Sequence, residues 1–449
     1  MEQLFFKGLA LNFLIAFWSL HFQVIGLFGA HGIEPISLFL EKIKSFYKKT
    51  PYTEFPTLFW LSATDLTLKL ATMSGIILSL AALLVPLQPI AFFLLWVLYL
   101  SFVTTGQTFL SYQWDCLLVE TGLIACLFSL FPSPFFLLLL WLLLFRLIFS
   151  SGIRKLTHGS KEWLNLTAMH YHYFTQPLPN RVSYFFHQQP MWFAKFSTLM
   201  VYFFEVAAPL MIFGPWEMRA VACFFQVVLQ ILILLTGNFA FFNTLTLALC
   251  ASLLLEWDKV DATLTGAILA LPLIGLNLVL IADLFFPVRR WFRPIFRSVT
   301  PWFIANGYGL FVHMTTWRNE IEIEGSDDGE TFIPYRFFYK PQELASAPRQ
   351  IAPFQPRVDW QMWFAALSNW RQETWLQNFI VRLLQGEKSV LKLLKENPFP
   401  QKPPKFIRAR VWRYTFTSLK EKKKTGNWWK KELVGNYCPQ VGLNQSEAS

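Results

Sequence analysis

Two carboxylates open an otherwise apolar stretch in Gln113-Trp114-Asp115-Cys116-Leu117-Leu118-Val119-Glu120-Thr121-Gly122. A charge at membrane depth is costly and normally faces a cavity or a cationic partner, so Asp115 and Glu120 are candidates for a functional site. Their plain structural reading is an aspartate capping a helix at the membrane boundary and a glutamate paired with Arg146 or Arg154. A second segment, Phe145 to Leu156, reads FRLIFSSGIRKL and carries Arg146, Arg154 and Lys155. A lysine desolvated at such a boundary can lose its proton and serve as a base. The commoner arrangement is a lysine that snorkels to the headgroups. His170 and His172 flank Tyr171, with His158 and His187 nearby. On a helix a His-x-His pair does not present both rings on one face, and no carboxylate or cysteine completes a ligand set. No metal site or cofactor is therefore assigned. Nucleophile elbows, Walker loops and dinucleotide fingerprints are missing from the sequence as well. If the chain is an enzyme, its catalytic candidates are Lys155, Asp115, Glu120, Arg146 and His172, lining an intramembrane pocket for a lipid-like or quinone-like substrate.

The elements that must position these residues are legible from composition. Of 449 residues, 54% are hydrophobic, 48 are phenylalanine and only 15% are charged, which excludes an ordinary soluble domain. A hydrocarbon core about 30 Å thick needs roughly 20 apolar residues per helix. Apolar runs near 8–29, 67–85, 89–110, 114–131, 134–150, 194–213, 219–236, 238–255 and 263–286 meet or approach that length, so about nine transmembrane helices are expected. The first run lacks a small-residue cleavage site and reads as a retained helix. Pro86, Pro132, Pro134, Gly214-Pro215 and Gly237-Asn238 mark tight turns. A transporter would call for paired broken helices or an internal repeat, and neither is visible.

After Pro287 the composition turns basic, with Arg289, Arg290, Arg293 and Arg297 at the exit. Residues 310–324 end in Glu320-Ile321-Glu322-Ile323-Glu324, the alternation of a strand with one wet face. Thr331–Tyr339 reads as a return strand, a helix starts near Trp360, another covers 373–396, and Val411–Thr417 is a further strand. The expected fold is an α-helical polytopic membrane protein over 1–290, followed by a small water-facing α/β domain over 291–449. The net charge of +11 suits the anionic face of a bilayer, and no nucleic-acid motif accompanies it. The five cysteines read as small buried hydrophobes. The tryptophans Trp360, Trp363, Trp370, Trp375, Trp412, Trp428 and Trp429 read equally as interface anchors or as a core with an interfacial belt.

Several strings, in order along nearly the whole chain, resemble the lipase maturation factor family. They are Gln113–Gly122, Phe145–Leu156, Tyr171–Pro179 (YHYFTQPLP), Met314–Gly325, Ala352–Leu367 (APFQPRVDWQMWFAAL) and Gly426–Pro439 (GNWWKKELVGNYCP). The resemblance implies a multi-pass protein that helps lipases, or other exported clients, to assemble, with no covalent chemistry required. It places a C-terminal client-facing domain on the lumenal or periplasmic side, against the positive-inside tendency of the basic connections 30–66 and 151–193. It also implies an integral protein of the endoplasmic reticulum membrane in a eukaryote, or of the cytoplasmic membrane in a bacterium. The end Asn-Gln-Ser-Glu-Ala-Ser carries no Lys-Asp-Glu-Leu type signal. Arg357, Trp360 and Trp363, in the most recognisable water-facing string, are the client-binding candidates. A remoter, short resemblance of Gly152–Leu156 and Trp163 to vitamin K-dependent gamma-carboxylase implies an active-site role for Lys155 and keeps the enzymatic alternative open.

Overall fold

The structure is a computed structural model and describes residues 2–48, 50–85 and 88–443, so the closing Asn-Gln-Ser-Glu-Ala-Ser lies outside the described residues. Each expected apolar run forms a helix. In chain order these are α1 (Glu2–His21), α2 (Asp65–Leu84), α3 (Gln88–Thr105), α4 (Gln113–Leu130), α5 (Pro134–Thr157), α6 (Met191–Tyr202), α7 (Trp216–Thr236), α8 (Phe242–Ala251) and α9 (Leu264–Ala282). Their starts follow the local chemistry. Thr64 and Thr263 accept backbone N–H groups at the heads of α2 and α9, and Ser133 with Pro134 opens α5, as expected of hydroxyl caps and first-turn prolines. Among the described residues, seven helices are long and apolar enough to cross a membrane, counting α6 with its continuation to Phe213; α3 and α8 are shorter apolar helices. The chain is an integral membrane protein. α5 is the most enclosed, with 89% of its apolar window buried, and so forms the axis of the bundle.

The first helix differs from its expected position at 8–29. It ends at His21, and the short helix Val24–Phe28 follows. The cause is Gln23, a buried amide that bonds to Ser19 O and to Gln355 O of the C-terminal part, at 2.6 and 2.8 Å. α6 is also irregular. It passes through a π-turn, Phe203–Ala207, and a 3-10 turn, Ala208–Phe213. Pro209 has no N–H to give the Glu205 carbonyl, which is where a regular ladder fails.

The C-terminal part is built on a four-stranded antiparallel sheet in the order β2-β1-β3-β4, with β1 at Arg318–Ser326, β2 at Ile333–Pro334, β3 at Phe406–Phe416 and β4 at Trp429–Val441. Ile321, Ile323, Ile407 and Ala409 are fully buried and share one hydrophobic core with α10 (Arg357–Ala365) and α11 (Thr374–Leu384). The expected return strand shrinks to two residues. β4 was not anticipated, because lysines and a glycine mask its alternation. The expected helix 373–396 ends at Leu384, since Gly386 takes φ +67° and stops it.

The larger correction concerns the supposed wet face of β1, where Glu320, Glu322 and Glu324 are all buried. Glu320 pairs with Arg318 at 2.6 Å and Lys340 at 3.1 Å. Glu322 takes Lys431 at 2.7 Å and the Tyr414 hydroxyl at 2.8 Å, and Glu324 takes Arg408 at 2.8 Å and Arg410. Alternation therefore marks a row of paired charges rather than solvent. Arg318 also donates to the carbonyls of Phe174 at 3.0 Å, Pro177 at 2.7 Å and Gln176, fastening the sheet to the connection between α5 and α6.

Removing one member of a buried pair strands the other charge, at a cost of about 3–5 kcal/mol. Arg318→Met should lower the Tm of the full chain in detergent by several degrees, and adding Glu320→Met should restore part of it. A tryptophan-fluorescence melt that leaves Arg318→Met within a degree of the parent would rule out this fastening.

Candidate functional site

The side of the bundle holding the turns after α1, α3, α5 and α7 receives the C-terminal part, and the charged candidates lie along that seam. Asp115 stands in the first turn of α4 and is fully buried. It receives both arms of Arg357, with Nη2 to Oδ1 at 3.0 Å and Nη1 to Oδ2 at 3.1 Å. Tyr99 from α3 donates to Asp115 at 2.5 Å, and Phe109 O accepts from Arg357 at 2.5 Å. The Arg357 backbone N–H goes to Gln23, and Gln355 accepts from Trp114 at 2.9 Å. Forked, charge-assisted pairing of this kind fixes orientation as well as distance. Trp360 is also buried, with its ring 5.0 Å from that of Trp114 and edge-on to it.

Glu120, one and a half turns along α4, pairs with Arg146 of α5 inside the bundle. Its other oxygen accepts from Asn306 Nδ2 at 2.8 Å and from the Tyr308 hydroxyl at 2.7 Å. The segment 303–311 thus enters between α4 and α5. It is held again where Gly309 exchanges hydrogen bonds with Gln113 and where Trp163 donates to Phe311 O at 2.9 Å.

Lys155, near the end of α5, bonds to both oxygens of Glu205, at 2.7 and 2.6 Å. The π-turn of α6 delivers this carboxylate, and Gly152 lets the two helices touch: a Cβ there would lie 2.9 Å from Glu205 Cβ. Lys155 neither snorkels nor stands free. It lines a cavity of about 50 Å³ with Glu205, Gln230 and Phe311. His172 is stacked on Phe239 and meets the edge of Phe311. Burial first, and the Lys155 charge second, push its pKa down to about 4, so it is neutral at physiological pH.

The five catalytic candidates therefore separate into Asp115–Arg357, Glu120–Arg146 and Lys155–Glu205, with His172 packed among aromatic rings. Of the five, only Lys155 borders the cavity, so they do not assemble one reaction pocket. Among the described residues no group of three or more His, Cys, Asp or Glu side chains gathers as metal ligands. Of the client-binding candidates, Arg357 and Trp360 are buried in the seam; Trp363 is half-buried and donates to Thr175 O at 2.7 Å. Sequence reading overlooked Glu205, Tyr99, Gln23 and Tyr308. A carboxylate in the apolar run 194–213 was a usable signal for Glu205; the others have polar groups too ordinary to single out.

Seam chemistry makes two expectations. Asp115→Asn or Arg357→Gln alone should raise protease cleavage in the 341–356 connection at least tenfold. Asp115→Leu with Arg357→Met should lie nearer the parent, because no charge is left unmatched; additive losses would deny the coupling. Glu34, buried against Thr108 beside Phe109, has a pKa raised to about 7, by burial first and against the Thr108 hydrogen bonds. Between about pH 4.5 and 7 the folded chain keeps a proton that the unfolded chain has released, so this group's contribution to stability falls as pH rises. The gap in Tm between Glu34→Gln and the parent should shift in favour of the variant from pH 5 to 8, by about 2 kcal/mol. A gap independent of pH would contradict the assignment.

Comparison with known proteins places this architecture. The lipase maturation factor transmembrane domain model matches residues 1–259, and the lipase maturation factor C-terminal domain model matches residues 304–439. Lipase maturation factor 2 of Xenopus tropicalis is 32% identical, across 98% of this chain and 82% of that protein. The human lipase maturation factor 2 is also 32% identical, with the same two shares. Mouse lipase maturation factor 1 is 30% identical across 97% of this chain and 86% of its own length. No solved structure matches. With both parts matched in order and the seam between them closed by buried charges, the chain belongs to the lipase maturation factor family.

Proposed function

We propose that this protein is a membrane-anchored maturation factor that assists the assembly of lipases. The observation that carries the reading is full-length similarity to lipase maturation factors, through both the transmembrane and the C-terminal parts. Paired seam charges support a division of labour. The bundle anchors and orients the C-terminal part, which meets an unassembled client still exposing apolar surface. In this reading Arg357 and Trp360 act by holding α10 in place, and Trp363 is the candidate that reaches the client. Beyond Trp363, the side chains of Phe364 and Leu367 are exposed, and together they form an apolar contact of the kind that dominates interfaces. The C-terminal part faces the endoplasmic reticulum lumen or the periplasm, where exported lipases assemble.

The test is co-expression of a secreted dimeric lipase in cells lacking their own maturation factor. The parent chain should raise the yield of active lipase. Trp363→Ala with Phe364→Ser should reduce that gain at least threefold while chain abundance and Tm hold. A C-terminal reporter should be active in the exported compartment. Equal lipase activity with and without the chain, or a reporter active only in the cytosol, would overturn the proposal.

A further inference from the structure

The Lys155–Glu205 pair is more elaborate than fastening needs. It uses a π-turn in α6, a close approach at Gly152, and a cavity on which a third polar side chain opens. That third side chain is Gln230 of α7, which is fully buried. Its Oε1 accepts from Asn243 at 2.9 Å, but its Nε2 finds no partner among the described residues. An amide donor left over in an apolar interior is destabilising unless some acceptor meets it.

On the other side of Leu229 and Ile233, which wall both spaces, lies a second cavity of about 350 Å³. It falls in the size range of small-molecule sites, roughly 300–1,000 Å³. Phe193, Phe196, Met200, Phe204 and Leu232 line it, so it runs between two membrane-spanning helices. Phe196 and Leu232 are also exposed on the outer surface of the bundle, beside Leu199 and Leu235. The groove is therefore bordered by side chains that face hydrocarbon, which dictates the chemistry of an occupant.

We propose that this groove binds one acyl chain of a membrane glycerolipid, with an ester carbonyl of that lipid reaching the inner cavity and accepting from Gln230 Nε2. The length of the groove suits a flexible chain, and the inner cavity is large enough for a carbonyl group or a few waters, each of which takes about 10–15 Å³. Lys155 and Glu205 neutralise one another and hold α5 and α6 at the mouth of the inner cavity. No bond is made or broken. Phe311, from the segment that links bundle to sheet, also lines the inner cavity, so an occupant would touch the C-terminal part directly. The proposal is independent of what the C-terminal part binds.

The experiment uses the full chain reconstituted in phosphatidylcholine vesicles doped with phosphatidylcholine bearing a photoreactive acyl chain. Crosslinks are mapped by mass spectrometry. Labelling of Met200, Phe204 and Leu232 should exceed that of the outward residues Leu264, Ile268 and Leu271 on α9 at least fivefold. Ser197→Trp, which fills the groove, should erase that excess, and Gln230→Leu should reduce retention of lipid after detergent washing about tenfold. Uniform labelling of both faces, or an excess that Ser197→Trp leaves intact, identifies ordinary boundary lipid and overturns the proposal. If Gln230→Leu lowers Tm by several degrees, Gln230→Glu, which keeps the shape but removes the free N–H, replaces it and should show the same loss of retention.

Discussion

Arg357 can sit inside this protein as a charged group only because Asp115 meets it there, and the relation of bundle to sheet follows from that pair. An unpaired guanidinium in such surroundings would be stranded at a cost of several kcal/mol, and so would the carboxylate. The two residues come from parts of the chain more than two hundred positions apart. Neither part can move off the other without exposing one charge to an environment that cannot solvate it. Tyr99, Phe109 O and Gln23 fix the remaining donors and acceptors, so the position is set by direction as well as by charge.

The same solution recurs along the seam. Glu120 accepts from Arg146 within the bundle and from Asn306 and Tyr308 on the incoming segment. Arg318 reaches from the sheet to three backbone carbonyls of the α5–α6 connection. Around these polar points the apolar core is continuous. One cluster of buried residues includes Phe5 of α1, Trp360 of α10 and Cys438 of β4. Bundle and sheet thus behave as two halves of a single packed body, and what the membrane part fixes, the C-terminal part inherits. Such an arrangement suits a factor that must present one surface in one orientation above a membrane.

Lys155 and Glu205 obey the rule that buried charges are paired but stand apart from the fastening. Their pair links two helices of the bundle beside a cavity, where a bonding group of Gln230 remains available. Seam pairs have their lone pairs and protons largely committed to protein, which is what a structural contact requires. At the inner cavity the commitment is incomplete, which is what a ligand requires.

By itself the sequence determined the class of the protein, because roughly twenty consecutive apolar residues can be accommodated only as a buried or membrane-crossing helix, whatever the tertiary details. It also determined where most helices start, through Thr64, Ser133 and Thr263 with their neighbours, since a cap is a contact between residues three or fewer apart. The strings shared with lipase maturation factors made the family legible, and Asp115, Glu120, Arg146 and Lys155 stood out because charge in apolar surroundings needs a reason. The partner of each charge was decided only by the tertiary structure. Glu320-Ile321-Glu322-Ile323-Glu324 announces a strand with two unlike faces, yet only packing determines whether the glutamates meet water or arginines. Likewise nothing local distinguishes Trp360 in a seam from Trp360 on an open surface. Pairing and burial depend on which distant segments converge, and a period-two or period-3.6 pattern carries no information about distance in space.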